Sequence, residues 1–149
     1  MTEIKYWFAG SHEEFPPSEL LRQAQAAEQA GFDGLGCSDH FAPWFPDGQS
    51  GQAWVHLGAL GQLTKLPIGT GVTPVVHHYH PGLIAQAFMS LEELYPGRVW
   101  LGAGSGEALR NWWRNQRLRP YRSSHSSTSK GTPAASTRWI IVQPSSTLV

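Results

Sequence analysis

Two short clusters of polar residues in this chain carry side chains that could move protons. Asp39 and His40 follow a short apolar run, Gly34–Cys37, and Glu107 follows another at 99–101 after a glycine-rich stretch. A carboxylate beside an imidazole can hold and transfer a proton near neutral pH, and a second carboxylic acid can supply one. These three residues are therefore the first candidates for catalysis.

The spacing of the apolar runs predicts a scaffold that brings these residues together. The runs begin near Ile4, Gly34, Pro67 and Arg98, roughly thirty residues apart, which is the length of a strand, a helix and the return to the next parallel strand. In a parallel sheet the strand ends share one edge, where α/β proteins keep their active sites. The glycine-bearing segment 69–74, after the third run, is predicted to be a turn at this edge.

Between the runs lie three segments with helical periodicity, 17–30, 53–64 and 81–95. The first has a proline in its opening turn, and the third repeats apolar residues at spacings of three and four before a glycine follows it. Residues 1 to about 107 are therefore predicted to form four strand-helix units, the fourth without its helix.

The predicted fold class is α/β, with the four units forming the N-terminal half of a (β/α)8 barrel. A complete barrel needs about 250 residues, whereas this chain has 149. Half a barrel leaves open strand edges and an uncovered interior, which favours aggregation unless another chain covers them. Assembly with another chain, including a homo-oligomer, is therefore one alternative for this chain.

The composition divides the chain into a partial barrel, 1–111, and a tail, 112–149. All 11 acidic residues lie in the first part, so that part carries a net charge of −6 and the tail carries +6. Serine, threonine and proline crowd residues 123–137, and within the tail only 139–142 could form a strand. Nucleic acid or an anionic surface could bind such a tail, but the favoured interpretation is an irregular, disordered or frameshift-derived segment.

Other patterns predict little chemistry. Cys37 is the single cysteine, which excludes an intrachain disulfide, and no apolar stretch is long enough for a leader or a membrane span, so a cytoplasmic protein without a membrane partner is expected. His77 and His78 are adjacent and would point apart, so no metal site is predicted. The loop 102–106 resembles a phosphate cradle, but Glu107 occupies the last glycine position of that motif, and nucleotide binding there is not expected.

Several segments together resemble the N-terminal part of the luciferase-like flavin and deazaflavin oxidoreductases, in particular the branch that contains the coenzyme F-420-dependent glucose-6-phosphate dehydrogenases. The resemblance covers residues 1 to about 109. It implies a (β/α)8 barrel that binds a deazaflavin at the C-terminal ends of its strands. The matching segments are 30–34, 38–41, 43–44, 69–73, 80–81, 84–88 and 101–109.

The resemblance also implies a role for each candidate residue. Asp39 would contact the coenzyme, and His40 would take the hydroxyl proton of a small-molecule substrate. Trp44 would steady the substrate complex, and Glu107 would act as the acid. A histidine suits the first proton transfer because it titrates near neutrality, and a carboxyl group suits the second if burial raises its pKa.

The coenzyme contacts implied by the resemblance include a backbone feature. Gly71, Val72 and Thr73 match the place where the family has a cis peptide bond and a bulge behind the coenzyme ring. An asparagine contact is displaced by one position, because Arg110 occupies the matching place and Asn111 follows it.

The implied chemistry is hydride transfer from the hydroxyl-bearing carbon of an alcohol, sugar or sugar phosphate to the deazaflavin. One alternative is an FMN-dependent monooxygenase of the same family, and another is a non-catalytic fragment. The family's phosphate-binding second half has no counterpart in this chain, so the chain by itself is predicted not to turn over substrate.

Overall fold

The structure, a computed structural model, describes residues 4–43, 47–75 and 79–105 with their side chains and the backbone of residues 140–142. Four strands alternate with three helices and lie side by side, in chain order, in one parallel sheet. This architecture confirms the α/β class and the predicted strand-helix units. The elements are β1 (Trp7–Gly10), α1 (Pro17–Gln29), β2 (Gly34–Cys37), α2 (Ala53–Leu63), β3 (Ile68–Pro74), α3 (Pro81–Leu94) and β4 (Val99–Gly104).

The first strand and one glycine-bearing segment differ from the predictions. β1 begins at Trp7 rather than Ile4, and the side chains of Ile4 and Tyr6 are 74% and 64% exposed. The predicted turn at 69–74 is wrong, because these residues belong to β3. Gly71–Val72 is a cis peptide bond, and the register with β4 shifts between Gly71 and Thr73, as the family resemblance implied.

The hydrophobic core lies between the sheet and the helices. Leu35, Ile68 and Val99 are aligned across three neighbouring strands and are buried on the helix-covered face. The helices contribute buried apolar residues to the same cluster, and each leucine or isoleucine side chain among them contributes roughly 1.5–3 kcal/mol when fully buried. They are Ala24 and Ala27 of α1, Leu57 and Leu60 of α2, and Ile84 and Leu91 of α3.

Local interactions fix where the helices begin and end. The first and third helices have a proline in the first turn, where its missing N–H costs nothing. The side-chain oxygen of Gln52 accepts the Val55 N–H at 2.7 Å and caps the start of α2. At the other end of α2, the Arg98 guanidinium donates to the carbonyl oxygens of Gly61, Thr64 and Leu66. The positive charge also suits the negative end of the helix dipole.

Two tryptophans lie on the face of the sheet opposite the helices. Trp7 and Trp100 meet edge to face with their ring centroids 5.2 Å apart. Neighbouring strands present glycines beneath these rings, and a Cβ on Gly34 or Gly69 would lie within 2.7 Å of tryptophan ring atoms. The glycines therefore serve close packing within strands rather than turns.

A fifth strand comes from the tail. Ile140–Val142 forms β5, which pairs antiparallel with residues 101–103 of β4. The pairing confirms a strand within the segment 139–142, whereas the other tail residues lie outside the described part of the chain. None of the described helices is long and apolar enough to cross a membrane.

An apolar groove of about 590 Å³ lies open beside α3 and the ends of β3 and β4. The groove is lined by Val75, Pro81, Ile84, Ala85, Phe88, Met89 and Leu101.

Replacing Gly69 with alanine is expected to destabilise the chain, because the new methyl group would lie 2.1 Å from the carbonyl oxygen of Trp100. Overpacking of this kind costs roughly 1–3 kcal/mol. Gly58→Ala is the matched control, since nothing lies within 4 Å of a methyl group there, and alanine inside a helix gains about 0.5–1 kcal/mol. Thermal unfolding followed by circular dichroism measures both. Equal melting temperatures for Gly69→Ala and the wild type would contradict the close packing.

Candidate functional site

His40 is held by a carboxylate that the sequence analysis did not identify. The imidazole Nδ1 of His40 contacts the Oε1 atom of Glu13, which lies in the loop after β1 and is 1% exposed. The hydroxyl groups of Ser11 and Ser38 each donate to the other carboxylate oxygen of Glu13 at 2.8 Å. The Glu13 carboxylate therefore joins the ends of β1 and β2.

The charge of Glu13 is stabilised by these donors. Burial by itself raises the pKa of Glu13, but the hydrogen bonds from His40, Ser38 and Ser11 outweigh burial and lower the pKa to about 2. An ionised carboxylate only accepts hydrogen bonds, so Nδ1 of His40 carries the hydrogen that faces Glu13. In the neutral ring Nε2 then has the lone pair that a general base needs.

Asp39 is buried at the end of β2 with a donor for each of its oxygens. It is 2% exposed, and it accepts the Thr73 hydroxyl at 2.7 Å and the Tyr79 hydroxyl at 2.8 Å. The Thr73 hydroxyl also lies 3.0 Å from that of Thr70. A carboxylate has about four lone-pair sites, and donors among the described residues occupy two of them.

The predicted site residues divide into those that the structure describes and those that it does not. Asp39 and His40 lie at the end of β2, and Thr73 of β3 contacts Asp39 directly. Gly71 and Val72 form the bulge in the same strand. The remaining predicted site residues, Trp44, Glu107 and Asn111, lie outside the described residues.

Glu13 and Tyr79 are the polar residues that sequence reasoning missed. Glu13 follows β1 by three residues, so a strand boundary placed correctly would have revealed an acidic residue at the same sheet edge. Tyr79 carries no comparable signal, because one tyrosine in a loop does not reveal its partner.

Two histidines, one in the loop that carries Glu13 and one in α2, are buried against each other. The rings of His12 and His56 meet edge to face with centroids 4.7 Å apart. Within the part of the chain that the structure describes, both nitrogens of His12 and the Nδ1 atom of His56 are buried without a hydrogen-bond partner. Burial lowers the pKa of both rings, that of His56 to about 4 despite its ordinary value of 6.5. Both histidines are therefore neutral at pH 7.

Neither metal binding nor thiol chemistry is indicated among the residues that the structure describes. That part of the chain contains no group of three histidine, cysteine or acidic residues arranged to hold a metal ion. Cys37 is buried in β2, as its sequence position suggested. Burial, together with the charges of Asp39 and Glu13, raises the pKa of its thiol, so Cys37 is a structural residue.

The described edge of the sheet combines two chemical capacities. The carboxylate-backed imidazole of His40 can accept a proton, as in other sites where an acid orients a histidine. The neighbouring carboxylate of Asp39 can accept hydrogen bonds. This fold and site define an α/β protein whose acid-base groups lie at the carboxyl ends of parallel strands.

The sequence model of the luciferase-like monooxygenase family matches residues 3–119. The chain belongs to this family. Among curated proteins, it is 47% identical over 108 residues to an F420-dependent glucose-6-phosphate dehydrogenase of Segniliparus rotundus, a match that covers 71% of this chain and 32% of the relative. It is 45% identical over 117 residues to an F420-dependent hydroxymycolic acid dehydrogenase of Mycobacterium tuberculosis, covering 77% and 32%.

Solved structures agree with this assignment. An F420-dependent secondary alcohol dehydrogenase in complex with an F420-acetone adduct is 41% identical, with a TM-score of 0.69 over 72% of this chain and 33% of the other. A coenzyme F420-dependent tetrahydromethanopterin reductase from Methanopyrus kandleri, 19% identical with a TM-score of 0.64 over 76% of this chain and 30% of the other, shares the fold. The chain thus spans about a third of the length of the relatives that it matches.

Glu13→Gln is expected to weaken the pH dependence of the free energy of unfolding below pH 4.5. The pKa of Glu13 is about 2 in the folded chain and 4.5 as a reference value, so the unfolded chain binds the extra proton. Its contribution, on the order of 3 kcal/mol, is present above pH 4.5 and is lost as the pH falls toward 2. Urea unfolding at several pH values should show a flatter acid limb in Glu13→Gln. Glu14→Gln, at the exposed neighbouring position, is the control, and an acid limb as steep as the wild type's in Glu13→Gln would refute this contribution.

His56→Phe is expected to flatten stability between pH 6.5 and 4. Because the pKa of His56 is lowered in the folded chain, its neutral form contributes full stability above pH 6.5, and this stability is lost as the pH falls toward 4. Phenylalanine keeps a ring against His12 and cannot titrate. Chemical unfolding at pH 7 and pH 5 should show that the wild type loses about 2 kcal/mol more than the variant; equal losses would show that His56 is not a buried neutral ring.

Proposed function

We propose that this chain carries the proton-transfer and coenzyme-contacting edge of a deazaflavin-dependent oxidoreductase. The observation that carries the proposal is the Glu13–His40 pair beside the buried Asp39 carboxylate. The names of three relatives support the substrate class, because they refer to a sugar phosphate, a hydroxymycolic acid and a secondary alcohol. All three contain a hydroxyl group on carbon, so the proposed substrate is a small molecule with a CH–OH group.

The acceptor carboxylate and the exposed glycine of this site fit a deazaflavin. Asp39 retains lone pairs for the N–H of a pyrimidine ring, since each oxygen accepts one hydroxyl hydrogen bond. Gly71, in the β3 bulge, is exposed and has no side chain to obstruct a flat ring. A bound deazaflavin would supply the hydride acceptor for the carbinol carbon.

His40 would take the hydroxyl proton of the substrate at Nε2 as the carbinol carbon loses its hydride. The hydrogen bond from Nδ1 to Glu13 would hold the ring in the required tautomer and stabilise the imidazolium that forms. The reaction balances, because the alcohol loses one hydride and one proton and becomes a carbonyl compound. Trp44, Glu107 and Asn111 keep the roles proposed from the family resemblance: substrate contact, acid and coenzyme contact.

Coenzyme binding by the chain is the first test. We expect coenzyme F-420 to bind more tightly than FMN in a fluorescence titration, and Asp39→Asn to weaken F-420 binding roughly tenfold, because a hydrogen bond to a charged acceptor is lost. Asp33→Asn, at the opposite end of β2, is the control. Equal or tighter FMN binding would favour the FMN-dependent monooxygenase alternative, and binding of neither would favour the non-catalytic fragment.

Turnover is tested separately, in a fusion of residues 1–105 to the remaining two thirds of the Segniliparus rotundus relative. Glucose 6-phosphate and a simple secondary alcohol serve as substrates. His40→Ala should lower kcat about a hundredfold or more, the usual worth of a general base, while F-420 binding changes little. Unchanged turnover would remove His40 from the mechanism.

A further inference from the structure

Two donors from different parts of the chain converge on Asp39. Thr73 is on the adjacent strand and is itself buried, so its position is fixed by the sheet. Tyr79 lies in the segment before α3, where the strand ladder does not hold it. The position of one Asp39 oxygen thus depends on what holds the Tyr79 side chain.

Gln52 provides a fixed point for Tyr79. Its Nε2 donates to the Tyr79 hydroxyl oxygen at 3.2 Å, and its Oε1 accepts the Val55 N–H at 2.7 Å. The amide is therefore held at both ends, between the first turn of α2 and the tyrosine. Helix capping alone would need only the oxygen.

The direction of these hydrogen bonds follows from the donor inventory. A tyrosine hydroxyl has one hydrogen, and an ionised carboxylate can only accept. Since Gln52 donates to the Tyr79 oxygen, the Tyr79 hydrogen goes to Asp39. Burial raises the pKa of Tyr79, and the charge of Asp39 and the hydrogen bond to it raise the pKa further, so the hydroxyl stays protonated around neutral pH.

We infer that Gln52 and Tyr79 are positioning residues for Asp39. The Gln52 N–H donates to the Tyr79 hydroxyl, and the Tyr79 hydroxyl donates to Oδ1 of Asp39; we call this chain of two hydrogen bonds the relay. The relay fixes the rotation of the carboxylate, so that its other lone pairs face a bound ring. The last step rests on the proposed function, in which Asp39 contacts a deazaflavin. The relay itself concerns the chain without any ligand, because all its hydrogen bonds lie within the protein.

The chain contains a matched control for this relay. Gln62 and Tyr95 form the same glutamine-to-tyrosine hydrogen bond at 3.2 Å, also with a glutamine on or beside α2. The Tyr95 hydroxyl, however, donates to the backbone carbonyl of Gly58 at 2.6 Å instead of to a carboxylate. Substitutions at Gln62 or Tyr95 therefore remove similar hydrogen bonds but leave those of Asp39 in place.

The experiment compares Tyr79→Phe and Gln52→Glu with Tyr95→Phe and Gln62→Glu in the full chain. Glutamate at position 52 keeps the oxygen that caps α2 but removes the N–H and offers the Tyr79 hydrogen a competing carboxylate. One readout is the ¹³C resonance of the Asp39 side-chain carboxylate at neutral pH without ligand. The other is the dissociation constant for coenzyme F-420.

Both test variants are expected to shift the Asp39 carboxylate resonance, whereas both controls leave it in place. Coenzyme binding should weaken roughly tenfold in Tyr79→Phe and about threefold in Gln52→Glu, with less than a twofold change in the controls. The melting temperature of Gln52→Glu should match that of the wild type, since the cap is retained. This separates positioning from general destabilisation.

An unmoved resonance in both Tyr79→Phe and Gln52→Glu would overturn the relay, whatever the coenzyme does. A shifted resonance with unchanged coenzyme affinity would overturn the positioning role. A shifted resonance in a chain that binds no coenzyme would uphold the relay and count against the proposed function instead. Equal effects in the control pair would show that any lost tyrosine hydrogen bond suffices, which also contradicts the inference.

Discussion

Two carboxylates, Glu13 and Asp39, are buried at the carboxyl edge of the sheet, and each depends on donors from a neighbouring strand-helix unit. Glu13 of the first unit accepts from Ser38 and His40 of the second. Asp39 of the second unit accepts from Thr73 of the third. Burying a carboxylate without such donors would destabilise the fold by several kcal/mol. The strand-helix units must therefore be in register for these two carboxylates to be buried at the edge. The same requirement that satisfies the charges assembles the acid-base groups.

Packing on the two faces of the sheet explains how its strands keep their register. On one side the three helices bury an ordinary aliphatic core. On the other side Trp7 and Trp100 lie over glycines of the adjacent strands. The absence of side chains at Gly34 and Gly69 permits a contact distance that no other residue allows. The glycines in these strands therefore reflect close packing between neighbouring strands rather than flexibility.

Most of the fold and part of the site could be predicted from the sequence, and the failures have physical causes. Apolar periodicity located the three helices and β2, because burial of one face imposes that periodicity. It misplaced β1, because Ile4 and Tyr6 are apolar but exposed. That error hid Glu13, which a correct boundary would have placed at a strand end. The partner of Tyr79 lies 40 residues away along the chain, a relation that spacing cannot reveal.

The antiparallel strand β5 has a topological consequence. It uses the backbone donors and acceptors of residues 101–103 on the outer side of β4. A (β/α)8 barrel needs those same groups for its next parallel strand. The two pairings are mutually exclusive, so β5 competes with a parallel strand for the same edge of β4. A parallel strand that paired with this edge of β4 would have to displace β5, and its binding would be weakened by the free energy of the β4–β5 pairing.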